Sequence, residues 1–325
     1  MCTSIAMLTH DFYFGRNMDI HYKFGEHVVV TPRNFPFKFR KAGTMTRHLA
    51  MIGMATVREG YPLYAEAVNE KGLGMAGLLF EGNAFYPDTL DSSKSNVSPF
   101  ELIPWIVGKC STVEEAKKLL SATHITDIPF SEKLPLTPLH WHIADRNSSI
   151  VVESMKDGLK IYDNPVGVMT NNPQFGYQLE NLGNYLNLTI DSPQNIFSEK
   201  AGVKPFSNGL GSFGLPGDFS SSSRFVKAAY LKLNSVCKDS EEDSISQFFH
   251  ILGSVSVLNG CVRLPNDDFN VTTYTCCVNV DKGIFYYNTY HNSQITAVDM
   301  QRENLDSNSL KEFPLIAEQQ VLRLN

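Results

Sequence analysis

The chain has 325 residues, 42% hydrophobic and 19% charged, a composition that excludes a disordered polymer and leaves enough apolar side chains for a large core. Its 28 basic and 34 acidic residues are intermixed, for a formal charge of −6, and no lysine–arginine stripe marks a nucleic-acid partner. No apolar run approaches the roughly 20 residues of a spanning helix, and the first ten residues lack the pattern of a secretory signal, so the expectation is a cytoplasmic chain without a membrane partner.

Residues 2–8, 13–17, 27–31 and 49–57 are short apolar or β-branched runs between turn residues and predict strands. The run 61–64 follows, and the turn Asn69-Glu70-Lys71-Gly72 leads into a strand at 73–80. Helical spacing covers 99–110 and 113–120, with Thr112 and Glu115 set as a capping box. Strands return at 139–144, 150–154, 159–162 and 166–170. Helices are predicted at 222–236, with Phe225, Ala228, Ala229 and Leu233 on one face, and at 244–255. A meander of 273–280, 283–290 and 294–298 closes the pattern, its first turn at Asp281-Lys282-Gly283. Strands, helices and strands again, without βαβ alternation, predict a layered α+β fold. No linker divides residues 1–325, which read as one domain. The irregular stretch 187–221 is long enough to imply a function or a partner.

Two stretches match the dinucleotide fingerprint, at Gly72, Gly74, Gly77 and at Gly209, Gly211, Gly214. Neither lies between a strand and a helix, the context in which the fingerprint holds a pyrophosphate, so both are read as turn glycines. His140-Trp141-His142 places two imidazoles on one face of a strand, but no third ligand stands nearby and no metal is expected. Of the cysteines at 2, 110, 237, 261, 276 and 277, the last five read as small buried hydrophobes, with Cys276 and Cys277 pointing to opposite faces.

Cys2 is different because trimming of Met1 makes it the terminal residue. Its own α-amine, with an ordinary pKa of about 7.7–8, then stands beside a thiol of about 8.5 and can serve as its base. Taken alone, position 2 reads more readily as an incidental cysteine. Arg16 and Asp19 lie one hairpin away, where an arginine favours thiolate and a carboxylate can orient the amine or a water.

With Cys2 these residues resemble the choloylglycine hydrolase family of N-terminal-nucleophile hydrolases, and within it the Gram-positive bacterial bile salt hydrolases. The resemblance runs through Asn69–Gly77, Pro138-Leu139-His140-Trp141, Asn164–Pro173, Gly214-Leu215-Pro216-Gly217-Asp218, Ser223-Arg224-Phe225-Val226 and Asn292-Ser293-Gln294-Ile295. It implies a four-layer αββα sandwich of two antiparallel sheets and a cofactor-free amidase that cleaves glycine- or taurine-conjugated bile acids. Carried onto this sequence, it implies Cys2 as nucleophile, Arg16 and Asp19 lining it, Asn171 offering its amide to the oxyanion, and Arg224 bracing the site from a helix start. Leu79 departs from the asparagine usual after Gly-Leu, which leaves a backbone N–H but removes a side-chain donor to the leaving group. Met18, Ile20, Phe24 and Tyr64 are candidates for the apolar steroid pocket by proximity to the motif. The family pattern implies a homotetramer, with 187–221 as candidate contact. Rival substrates of the same mechanism are penicillin V and N-acyl homoserine lactones, and a rival of another class is a non-catalytic bile-acid binder.

Overall fold

The computed structural model describes all 325 residues. Fourteen strands build its two main sheets. In chain order they are β1 (Cys2–Leu8), β2 (Phe12–Ile20), β3 (His27–Thr31), β4 (Met51–Arg58), β5 (Tyr61–Asn69), β6 (Gly74–Leu79), β7 (Leu139–Ala144), β8 (Ser149–Met155), β9 (Gly158–Asp163), β10 (Val168–Met169), β11 (Val271–Asn279), β12 (Ile284–Thr289), β13 (Asn292–Asp299) and β14 (Lys311–Pro314). The first sheet runs β10-β1-β2-β11-β12-β13 and the second β9-β8-β7-β6-β5-β4-β3-β14. Every pairing within both is antiparallel.

Two-residue periodicity explains why the sheets stack. In β4, Ile52 and Met54 join the core between the sheets, while Met51 and Ala55 face a second core on the outer side. In β6, Ala76 and Leu78 point inward and Met75 outward. Helices α1 (Leu102–Val107) and α2 (Val113–Ser121) cover that outer face. Helix α3 (Phe175–Asn181) precedes α4 (Ser221–Asn234) and α5 (Glu241–Gly253), and α4 and α5 lie on the first sheet, contributing Phe225, Ala228, Phe248 and Leu252 to the core. The result is the αββα sandwich. Gly15 permits the close approach of β2 and β11, because a Cβ there would stand 2.1 Å from Cys276 O.

Several expectations change in detail. The helix expected at 99–110 is a 3-10 turn, Pro99–Glu101, followed by the six-residue α1. The strand expected at 166–170 shrinks to β10. Thr112 Oγ1 accepts from Glu115 N at 3.2 Å, but the Glu115 carboxylate takes the N–H of Ser111, so the capping box is half made. Leu233 is exposed rather than packed with Phe225. At about 100° per residue, Lys232 lies nearer that face, and its Nζ donates to Val166 O at 2.8 Å. Cys261 is exposed and Cys237 half-buried, whereas Cys110, Cys276 and Cys277 are buried.

The second glycine-rich stretch is a turn as expected, but in the first only Gly72 is a turn residue, and Gly74 and Gly77 lie within β6, paired with β7. Gly72 has φ of 104° before β6, and Gly209 has φ of 82° before a 3-10 turn. His140 and His142 share the inner face of β7. His140 meets Glu153 and Thr170 O, and His142 lies between Ser4 Oγ and Ser149 Oγ, each at 2.8 Å. Burial pushes His142 down to about 3, helped by Lys232 and His140, so it bridges the two sheets as a neutral ring. No helix is long and apolar enough to cross a membrane.

Candidate active site

Cys2 opens β1, and β2 returns beside it with Cys2 opposite Met18 and Ser4 opposite Arg16. Arg16 and Asp19 differ by an odd number of positions, so one strand sends them to opposite faces of the sheet. Arg16 lies between the two sheets and meets the sulfur of Cys2. Asp19 lies on the helix side and meets the neighbourhood of its main chain.

On the inner face Arg16 is fully buried. Its Nη2 donates to Cys2 Sγ and lies 3.5 Å from Met18 Sδ, its Nη1 donates to Gly77 O at 2.6 Å, and its Nε donates to Asn17 O at 3.3 Å. Burial acts to lower its pKa, but the Cys2 sulfur, Tyr274, Glu66 and Cys276 outweigh this and leave it raised. A permanent cation therefore points at the Cys2 sulfur.

On the outer face the main chain of Cys2 is gripped from two elements. Cys2 N donates to Asn171 Oδ1 at 2.7 Å, and Asn171 Nδ2 donates to Leu79 O at 2.7 Å. Arg224, in the first turn of α4, donates to Cys2 O, to Thr3 Oγ1 at 2.7 Å and to Asn171 Oδ1 at 2.8 Å. The first turn of a helix is a poor place for a cation. Burial lowers the pKa of Arg224, while Asp19 and the Cys2 sulfur oppose that shift. Asp19 Oδ1 accepts from Thr272 Oγ1 at 2.6 Å. Its Oδ2 is buried without a hydrogen-bond partner, 3.8 Å from Arg224 Nη1. Burial raises the Asp19 carboxyl, against Arg224, the chain terminus, Thr272 and Arg16. The amino group of Met1 donates to Asp19 O at 2.7 Å, so the first residue is tied to the main chain of β2 beside Asp19.

Cys2 and Arg16 form the floor of a cleft of about 440 Å³. Met18, Ile20, Phe24, Tyr64 and Leu79, the five residues proposed from sequence, all line it. Tyr64 contributes mainly as core, since it is buried and its hydroxyl is paired with Thr31 Oγ1 at 2.7 Å. Sequence reasoning missed the far wall, built by Phe100, Phe130, Leu134 and Leu136. These come from loops and a helix start distant in sequence, and no local pattern marks them. It also missed Thr3, Thr272 and Glu66. The only sequence signal for Glu66 is a single acid inside the apolar run Leu63–Val68. Of the 26 lining residues 17 are hydrophobic, which suits an apolar ligand with one reactive polar group.

A family model for linear amide C–N hydrolases of the choloylglycine hydrolase family matches residues 2–313. The chain is 50% identical to the bile salt hydrolase/transferase of Lactiplantibacillus plantarum over 325 residues, covering 100% of both. It is 40% identical to the bile salt hydrolase/transferase of Clostridium perfringens over 318 residues, covering 96% of each. The crystal structure of a variant of the conjugated bile acid hydrolase from Clostridium perfringens superposes with a TM-score of 0.92, at 38% identity and full coverage of both chains. With the sandwich and the buried cysteine–arginine pair, the match over nearly the whole length leads to one conclusion: the chain belongs to the choloylglycine hydrolase family of linear amide C–N hydrolases.

Proposed function

We propose that this protein hydrolyses the amide bond of glycine- or taurine-conjugated bile acids through Cys2. The observation that carries this reading is a sulfur held by a buried arginine at the floor of an apolar cleft. Removal of Met1 frees the α-amine of Cys2, which keeps Asn171 Oδ1 as an acceptor and gains the unpaired Asp19 Oδ2 as a second. The sulfur attacks the carbonyl carbon and passes its proton to the amine. The oxyanion takes hydrogen bonds from the Leu79 N–H and from the Asn171 Nδ2 hydrogen that Leu79 O leaves free. The C–N bond breaks as the α-ammonium protonates the departing taurine or glycine, and water then cleaves the thioester. Intact mass before and after incubation with glycocholate and taurocholate, with free cholate assayed alongside, tests this. Loss of Met1 together with cholate release is expected; a fully trimmed chain that releases no cholate refutes it.

Acyl transfer is a second outcome at the same thioester, favoured by the hydrolase/transferase names of two relatives. An amine replacing water at that step gives a new conjugate, and product analysis in excess glycine reads it directly.

Leu79 lines the cleft and its carbonyl is tied to Asn171, so its side chain is free to set leaving-group preference. Leu79→Asn is expected to change the ratio of kcat/KM for taurine over glycine conjugates several-fold, within the roughly tenfold that one added hydrogen bond supplies. Identical ratios in the two proteins would remove Leu79 from the specificity argument.

In this proposal residues 1–325 act as one unit, assembled as a homotetramer in the cytoplasm. The six unpaired thiols suit a reducing compartment. The assembly contact is assigned to 187–221, where Ile196, Phe197 and Phe206 stand 95%, 88% and 87% exposed in the single chain. Phe197→Asp with Phe206→Asp is expected to yield a smaller species by light scattering. A double variant that runs as the same tetramer would exclude this segment as the contact.

A further inference from the structure

Glu66 reaches out of β5 in the second sheet into the layer between the sheets, 1% exposed, and meets the patch of the first sheet that carries Arg16. Its Oε2 lies 3.7 Å from Arg16 Nη1. Tyr274 OH donates to both of its oxygens, at 3.1 and 2.9 Å, and Cys276 Sγ approaches Oε1 at 3.5 Å. Tyr274 and Cys276 sit on β11, opposite Met18 and Arg16 of β2. The neighbours of Glu66 within its own sheet are Met54 and Ala76, which carry no charge. The titratable groups around it are therefore Arg16, Tyr274 and Cys276, with Cys2 on the far side of Arg16.

The five N–H bonds of a guanidinium form a fixed planar fork. Here Nε is spent on Asn17 O, the Nη1 edge faces Gly77 O and Glu66, and the Nη2 edge faces the sulfurs of Cys2 and Met18. Because the fork is rigid, whatever fixes one edge aims the other. One buried cation thus stands between two potential anions, a carboxylate on the second sheet and the nucleophile on the first.

We propose that Glu66 is a positioning residue for the reaction at Cys2: it holds the Nη1 edge of Arg16 from the opposite sheet, and its charge sets how much of the Arg16 field is left for the thiolate. This rests on Cys2 being the nucleophile, as proposed above. When Glu66 is neutral, the sulfur is the main counter-ion of Arg16. When Glu66 is ionised, it shares that cation and opposes a second negative charge nearby. Burial pushes the Glu66 carboxyl up to about 7, against the pull of Arg16, Tyr274 and Cys276. The switch between these two conditions therefore falls in the neutral range. A purely structural ion pair gives the sandwich its packing but leaves the pH response of the sulfur unchanged.

The test uses the full, Met1-trimmed chain with Glu66→Gln and, separately, Tyr274→Phe. The rate of Cys2 alkylation by iodoacetamide is followed against pH by mass of the N-terminal peptide, and kcat/KM on glycocholate is measured over the same range. Glutamine keeps the shape and an acceptor for Arg16 and Tyr274 but removes the charge. Its alkylation midpoint is expected to move to lower pH by about one unit, with the acid limb of kcat/KM moving alongside. Tyr274→Phe removes the hydrogen bond that favours the ionised carboxylate, so a smaller shift in the same direction is expected. If Glu66→Gln does not accumulate as folded protein, Tyr274→Phe decides alone. Midpoints unmoved within error, or moved to higher pH, overturn the proposal while leaving hydrolysis by Cys2 intact. A shift in alkylation in a chain that never cleaves conjugates supports the control of the sulfur and refutes the hydrolase reading instead.

Discussion

Replacing Cys2 with alanine in the trimmed chain is expected to lower kcat on glycocholate by at least about 10⁴-fold, with the ligand still binding in the cleft. The sulfur is the only atom of the site that forms a bond to substrate in the proposed route, and nothing nearby substitutes for it. Arg16, freed of the sulfur, keeps Gly77 O, Asn17 O and Glu66 as partners, so the sandwich is expected to fold. Cys2→Ser separates nucleophilicity from shape, because a hydroxyl is far harder to ionise than a thiol even beside an arginine. It is expected to fall nearly as low as alanine. Measuring kcat by cholate release and binding by calorimetry in both variants distinguishes lost chemistry from lost binding.

Asn171→Ala carries the next largest expected effect. This side chain joins three structural units: Oδ1 accepts from Cys2 N and Arg224 Nη2, and Nδ2 holds Leu79 O at the mouth of β6. Removing it takes away the proposed oxyanion donor, for which about 10²–10³ in kcat is the usual cost. It also leaves a buried Arg224 hydrogen without its acceptor. KM is expected to change little, since the proposed bond strengthens on the oxyanion rather than on the bound amide. Steady-state kinetics on both conjugates read the split, and a pure KM effect would place Asn171 in binding instead. Asn171→Asp restores the shape but adds a negative charge where an oxyanion develops, and no recovery of rate is expected.

Much of this arrangement was legible in the amino-acid order, for a physical reason. The β1–β2 hairpin is local, so Cys2, Arg16 and Asp19 are brought together by a short connection and two-residue alternation. The runs 73–80 and 139–144 were read as strands and form β6 and β7, with His140 and His142 on one face of β7. What sequence did not show depends on layers meeting. Glu66 and Arg16 touch because two sheets stack, and no spacing along the chain encodes that contact. Leu233 was expected on the buried face of α4, but Lys232 takes that place by reaching a main-chain oxygen with a flexible stem. Asn171 and Arg224 were named through the family resemblance rather than their local pattern, which reads as a turn and a surface cation. The far wall of the cleft was invisible for the same reason as Glu66: Phe100, Phe130 and Leu134 converge only in three dimensions.

Trapping the acyl-enzyme tests the central claim most directly. Trimmed protein mixed with glycocholate is acid-quenched within the first turnovers, digested under conditions that preserve thioesters, and analysed by mass. A cholyl group is expected on the sulfur of a peptide that begins at Cys2, absent from the Cys2→Ala protein. Cholate release by a chain that still begins with Met1, or an acyl group carried by any other residue, would contradict the account.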